Sequence, residues 1–239
     1  MYLPNHQALF IHIPKCAGTS VEKTLLSGDS ESRYKENEAL LLKNKNPFKG
    51  PPSLHHLSAL QYCNKGHISE EQWESSYKFT FVRNPLSRIV SAYNYRGIAI
   101  RARIAGKKSW TFKEFLFEYF PTRLEENYLF GHDNWTHVQP MWTFTHDCAG
   151  KKNLMDFVGR LENIKEDFAK VISTLKYPSD TELAHSNPSP LREPMSGKLV
   201  SDTKTRFHWA EYYDSSTLDF VRKLYQKDFE LFDYSDKLP

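Results

Sequence analysis

Three short stretches of the chain read as strands, the first of them apolar enough to be buried on both faces. Gln7–Ile13 ends in ALFIHI, Tyr77–Val82 is YKFTFV, and Leu154–Val158 is LMDFV. Continuous apolar runs of this length, rich in Phe, Ile and Val, predict strands of a parallel sheet rather than half-exposed ribbons. Each run ends in turn or charged residues: Pro14-Lys15, Arg83-Asn84-Pro85 and Gly159-Arg160. Between them, apolar positions recur at the three- and four-residue spacing of a helix. Val21, Leu25 and Leu26 predict a helix that stops at Gly28, with Thr19 as its N-cap and Glu22 completing a capping box. His55–Tyr62 and Glu70–Ser75 read as short helices, and Leu86, Ile89, Val90 and Tyr93 start one that runs to about Ile104. Trp110–Tyr119, Asn163–Leu175, Phe207–Tyr213 and Thr217–Phe229 are helical by the same pattern. The polar, proline-broken stretch 29–53 reads as a surface excursion with one short helix around Glu36–Leu42, and 177–198 reads as a loop. Strands alternating with helices predict an α/β fold, a parallel sheet flanked by helices on both faces, in a single domain spanning 1–239.

Composition narrows the class. At 239 residues and 39% hydrophobic, the chain has the make-up of a soluble globule. No apolar run approaches the roughly 20 residues of a membrane span, so no stable membrane insertion is expected. MYLPNHQ lacks the basic region and apolar core of a secretory signal. The three cysteines, Cys16, Cys63 and Cys148, are odd in number and far apart. That argues against a disulfide framework and for a reducing, cytoplasmic setting. No Cys-x-x-Cys pair suggests zinc, and no metal is expected. A net charge of +3 suits an anionic ligand without marking a nucleic-acid binder.

The candidate chemistry lies where strands turn into helices. In FIHIPKCAGTS the chain passes from a buried strand through Pro14-Lys15-Cys16-Ala17-Gly18 into a helix. Small residues there let several backbone N–H groups converge, the helix dipole adds to them, and Lys15 adds a full charge; this is a phosphate-type anion site. The Thr19 and Ser20 hydroxyls stand ready to help. It is not a Walker A loop, because the lysine comes first and Gly18 stands alone. FVRNPLSRIVSAY repeats the arrangement, with Arg83 at a strand end and Ser91 eight residues on. Strand ends line the ligand crevice of a parallel sheet. Two such sites suit a nucleotide with phosphates at both ends of its ribose. Plain alternatives exist for each segment alone: an ordinary turn with a surface lysine, a salt-bridged arginine, a serine at a packing contact. They are harder to sustain for both together.

HIPKCAGTS resembles the 5'-phosphosulfate loop of sulfotransferases, and FTFVRNPLSRIVSAY resembles their 3'-phosphate motif. The likeness is closest to the carbohydrate sulfotransferase branch and its bacterial relatives. It extends to HHLSA, to DFVGRLENIKEDF and to YQKDFELFDYS, and so covers nearly the whole chain. The resemblance implies a P-loop-like fold and an enzyme that uses 3'-phosphoadenosine 5'-phosphosulfate (PAPS) to sulfate an acceptor hydroxyl, most naturally on a glycan or glycoconjugate. It assigns Lys15 to the leaving-group oxygens and the N–H groups of Cys16, Ala17, Gly18, Thr19 and Ser20 to the 5'-phosphate. Arg83 and Ser91 go to the 3'-phosphate. Many relatives carry threonine where this chain has Cys16.

Sulfuryl transfer to a hydroxyl also needs a base, and histidine titrates in the right range. His56 matches the histidine of the branch's H-x-[TS]-A segment, with His55 as the neighbouring alternative; a carboxylate, Glu22 or Glu162, stays open as the base. His137 and Gln139, in WTHVQPMW, fall where the branch lines its acceptor cleft. Weaker candidates are Arg160, a loop of Thr203, Lys204, Thr205 and Arg206 over the 3'-phosphate, and the basic run Arg96, Arg101, Arg103, Lys107 and Lys108. Rival functions are a kinase-like phosphotransferase, a non-catalytic nucleotide-binding module, or a sulfotransferase acting on a small molecule, lipid or tyrosine.

Overall fold

The computed structural model describes residues 1–28, 44–50, 54–95, 105–121, 134–184, 191–202 and 205–239. In chain order the elements are β1 (Tyr2–Leu3), β2 (Ala8–Ile11), α1 (Gly18–Gly28), α2 (Ala59–Asn64), α3 (Glu70–Ser75), β3 (Tyr77–Val82), α4 (Pro85–Asn94), α5 (Phe112–Phe117), α6 (Asn134–Val138), α7 (Trp142–Thr145), β4 (Phe157–Arg160), α8 (Ile164–Thr174), α9 (Ser215–Leu224) and α10 (Gln226–Leu231), joined by short 3₁₀ turns. They form two compact units: residues 1–83 with 141–186, and residues 84–140 with 187–239.

The first unit holds an open four-stranded sheet in the order β1-β2-β3-β4. β2, β3 and β4 run parallel, and β1 pairs antiparallel with β2. The fold is the expected α/β class, a mostly parallel sheet flanked by helices. Every residue of β2 is buried, as its unbroken apolar run requires. Phe10 faces Phe79 in the ladder, with ring centroids 5.2 Å apart, and Phe81 lies edge-on at 6.4 Å. A Cβ at Gly159 would come within 2.5 Å of the Phe81 ring, so glycine there makes room for the aromatic layer. Phe168, Val171, Ile172 and Leu175 close the core from α8 and its C-terminal end, and Val21 and Leu25 close it from α1.

Several boundaries differ from the pattern-based expectation, each for a local reason. β4 begins at Phe157, three residues after the predicted Leu154, because the Leu154 amide donates to Thr145 O and the Met155 amide to the Asn153 side chain. Pairing with β3 is set up by Asp156, whose amide donates to Lys78 O. His55–Tyr62 splits into a 3₁₀ turn at Leu54–His56 and α2, because Ser58 and Gln61 form a capping box that starts a new helix. The predicted cap at Thr19 is not made. α1 begins at Gly18, Ala17 O accepts from the Ser20 and Val21 amides, and Glu22 turns to His12 instead.

The second unit packs α4, α5 and α9 around aromatic side chains. The α4 positions Leu86, Ile89, Val90 and Tyr93 are all buried, with Phe112, Phe115, Tyr212, Val221 and Tyr225 against them. α4 ends at Asn94, with Tyr95 in extended rather than helical backbone; residues 96–104 of the predicted helix lie outside the described residues, as does the predicted helix at Glu36–Leu42. The single predicted helix Thr217–Phe229 is two, broken at buried Tyr225, whose hydroxyl donates to Val138 O. Asp214 caps α9: its carboxylate accepts from the Thr217 amide, from Lys113 and from Ser216. Those bonds, the amide's first, hold its pKa well below the ordinary carboxylate range. Asp214→Ala is therefore expected to lower unfolding stability by about 1 kcal/mol at neutral pH. A depressed carboxyl pKa stabilises fully above its unfolded value and less and less as pH falls from there through the folded one, so the difference should shrink progressively below about pH 4. Urea denaturation of both proteins at pH 7 and at acid pH checks both statements.

Candidate active site

The turn between β2 and α1 has an unusual backbone. Lys15 and Ala17 both lie in the left-handed region, at φ 67° and 65°, although neither is glycine. Such positions cost on the order of 1 kcal/mol each and persist where the surroundings impose them. Alternating left-handed and ordinary residues curl successive amides around one concavity, the geometry of an anion nest. The first helical bonds come from the Ser20 and Val21 amides, so the amides of Ala17 to Thr19 lie ahead of them at the positive end of the helix dipole. Cys16 is 1% exposed and its Sγ lies 3.9 Å from Met141 Sδ. The Cys16 side chain is thus packed inward, and its backbone remains in the nest. Thr19 is exposed, Ser20 buried and Lys15 half-buried. Arg83, at the end of β3, directs Nη1 to Lys15 O at 3.4 Å, so its guanidinium reaches the backbone of this loop.

Beside the loop lies a cluster of three histidines and one carboxylate. His56 is 5% exposed, and its Nδ1 is 3.2 Å from His12 O. A carbonyl only accepts, so His56 Nδ1 carries the hydrogen and neutral Nε2 is an acceptor. His55 Nε2 lies 3.0 Å from that Nε2 and is the donor in the pair. The two rings meet edge to face at 4.1 Å. His12 Nδ1 donates to Glu22 Oε1 at 2.9 Å, both side chains being buried. Burial alone would raise the Glu22 carboxyl pKa, but the charge and hydrogen bond of His12, together with His55, bring it below its usual value. Glu22 is thus an ionised partner of His12 inside the cluster. The other carboxylate considered, Glu162, is exposed in a 3₁₀ turn. His12 and Glu22 acting together is the feature that pattern reading missed. The signal was present: His12 is the one polar side chain in an otherwise apolar strand run.

Of the remaining candidates, Ser91, His137 and Gln139 belong to the second unit and Arg160 to the first. Ser91 is half-buried on α4. His137 ends up on α6 with its ring stacked on Tyr95 at 4.8 Å. Gln139 follows, its amide bonded to Trp135 O. Buried Arg88 donates to Gln139 O at 3.0 Å and to His137 O at 3.4 Å, so an arginine inside the second motif fixes the backbone of both residues. Arg160 is half-buried; its amide bonds the Asp167 carboxylate. Lys107, Lys108 and Arg206 are described, while Arg96, Arg101, Arg103, Thr203 and Lys204 lie outside the described residues. Among the described residues no group of His, Cys, Asp and Glu is placed to hold a metal ion, and no helix is long and apolar enough to cross a membrane.

A family model described as "Sulfotransferase family" matches residues 1–235, which takes in both units. No curated protein and no solved structure matches the chain. The match covers the phosphate loop, both predicted cations and the histidine cluster, and its span leaves only the last few residues outside. The chain belongs to the sulfotransferase family and is an enzyme of sulfuryl transfer to a hydroxyl acceptor.

Proposed function

We propose that the protein moves the sulfuryl group of PAPS to a hydroxyl of a carbohydrate, in line, with the His55–His56 pair supplying the base. The observation that carries this reading is the paired left-handed backbone at Lys15 and Ala17, a lysine-bearing anion nest at the start of an eleven-residue helix. Bound PAPS supplies a sulfuryl group whose bond to the 5'-phosphate oxygen breaks as the bond to the acceptor oxygen forms. The transition state of such a transfer is loose, so positioning and charge stabilisation do most of the work. The nest amides of Cys16 to Thr19, with the Thr19 and Ser20 hydroxyls, hold the 5'-phosphate; the Ser20 amide is taken up by Ala17 O. Lys15 neutralises the charge that grows on the leaving oxygen. The motif resemblance assigns the 3'-phosphate to Arg83 and Ser91, and the acceptor to His137 and Gln139. The acceptor hydroxyl displaces the His55 N–H from His56 Nε2, the ring nitrogen that carries a lone pair, and that atom takes the acceptor proton. We assign residues 1–239 to one functional sulfotransferase domain. None of Cys16, Cys63 and Cys148 forms a disulfide, and Cys148 is exposed, which supports a reducing, cytoplasmic setting.

Calorimetric titration tests the donor. Adenosine 3',5'-bisphosphate is expected to bind with a micromolar Kd, roughly −8 kcal/mol. 5'-AMP should bind far more weakly, because it lacks the group that Arg83 and Ser91 read. Equal binding of the two, or binding of Mg-ATP alone, would sink the PAPS assignment in favour of a phosphotransferase.

A further inference from the structure

We propose that Glu22 and His12 are positioning residues: together they set the tautomer and orientation of the His55–His56 pair and stabilise the charge it gains on taking a proton. This rests on the histidine-base reading above. His12 touches the pair in three ways. Its backbone carbonyl accepts from His56 Nδ1, its ring meets the His56 ring edge-on at 4.5 Å, and it stacks on the His55 ring at 5.5 Å and 23°. One residue thus dictates which His56 nitrogen holds the hydrogen and how both rings are turned.

His12 is itself aimed from the other side. Glu22 Oε1 accepts from its Nδ1, and a Cβ on Gly18 would lie 2.0 Å from its Nε2, so the ring rests directly on the phosphate loop. A buried carboxylate–imidazole pair is costly to desolvate and gives weak grounds for stability by itself. Here it places a negative charge one ring away from the groups that become positive when a proton is taken, and it ties them to the donor loop. Glu22 is also faced by the Tyr62 hydroxyl on α2 and by the Met1 amino group. Burial, then the Glu22 charge, pushes the Tyr62 hydroxyl far up, so it stays neutral. Burial brings the pKa of the Met1 amino group down to about 5 against the opposing Glu22 charge, so it too is neutral at pH 7, and the groups left to respond to the carboxylate are the histidines.

The test needs no acceptor. Full-length protein labelled with ¹⁵N-histidine is titrated by NMR, as wild type and as Glu22→Gln, which keeps the shape and removes the charge. In the wild type, His12 and His56 are expected to carry hydrogen on Nδ1. An anionic neighbour favours imidazolium, so its removal should lower the titration midpoint of the His55–His56 pair by roughly one pH unit. Adenosine 3',5'-bisphosphate affinity should stay within about 2-fold. An Nε2–H tautomer at His12 or His56 in the wild type overturns the inference, and so does an unchanged midpoint in the variant. Loss of bisphosphate binding by Glu22→Gln with the midpoint unmoved would make the couple merely structural. If the variant does not fold, the wild-type tautomers decide alone. Wild-type protein that fails to bind the bisphosphate overturns the donor reading instead, and leaves tautomers and midpoint to judge the couple.

Discussion

His56→Ala is expected to lose sulfuryl transfer by roughly 10²–10⁴-fold while binding adenosine 3',5'-bisphosphate as the wild type does, because general-base catalysis is worth about that much and the phosphate loop is made of other residues. The assay follows PAPS turnover with a desulfated uronosyl polysaccharide, or with whichever hydroxyl acceptor supports wild-type turnover. His56 Nε2 faces His55 Nε2 at 3.0 Å, so the two rings form one hydrogen-bonded unit. Groups that act as a unit are not additive. The double variant His55→Ala/His56→Ala is therefore expected to be no worse than the poorer single variant. Added imidazole should restore part of the rate to His56→Ala by filling the space of the lost ring. Full activity in His56→Ala would remove the base assignment, and losses in the two single variants that multiply in the double would show that the rings act separately. His56 is buried, so a loss of activity that comes with a large fall in bisphosphate affinity would mark collapse of the cluster rather than loss of a base.

How much of this was legible from the sequence depends on the range of the interaction. β3 and α3 are found at the boundaries their patterns predict, because an apolar run bounded by turn residues and a serine cap followed by Gln are local signals. β4 was misplaced because the run LMDFV continues past the point where Leu154 and Met155 bond elsewhere; hydrophobicity does not show where ladder bonds go. The two-residue strand β1, and α6 and α7 on either side of Pro140, are too short to carry a period. In the site, the strand–turn–helix passage at Pro14–Gly18 was visible from chain order, while the left-handed backbone at Lys15 and Ala17 was not. Glu22 was misread as a capping partner of Thr19, since the spacing fits a capping box equally well. Its actual partner, His12, is ten residues earlier, and that distance is bridged only when the strand and the helix fold back to back. The same holds for Arg88, which the sequence pattern did not single out: it is 1% exposed and holds the backbone at His137 and Gln139, about fifty residues on.

Gly18→Ala should damage both halves of the first unit's site at once. A methyl group there would lie 1.9 Å from His12 Cδ2 and 2.0 Å from its Nε2, far inside contact distance. An ordinary overpacked side chain could swing aside. His12 has little room to do so, because its Nδ1 is held by Glu22, its ring lies against Phe10, and its carbonyl holds His56. Either the loop moves off the ring, which opens the nest at Lys15 and Ala17, or the ring is expelled, which breaks the bond to Glu22 and turns the histidine pair. Overpacking of this kind typically costs about 1–3 kcal/mol. If that cost falls on the loop, bisphosphate affinity drops by roughly 10- to 100-fold at the usual 1.4 kcal/mol per decade. If it falls on the ring, affinity survives and the histidine titration shifts as in Glu22→Gln. Calorimetry and the NMR titration on the one variant tell these apart. Gly18→Ala with wild-type affinity and wild-type histidine midpoints would mean that the ring and the loop are not in contact, and the coupling of the donor site to the base through His12 would have to be abandoned.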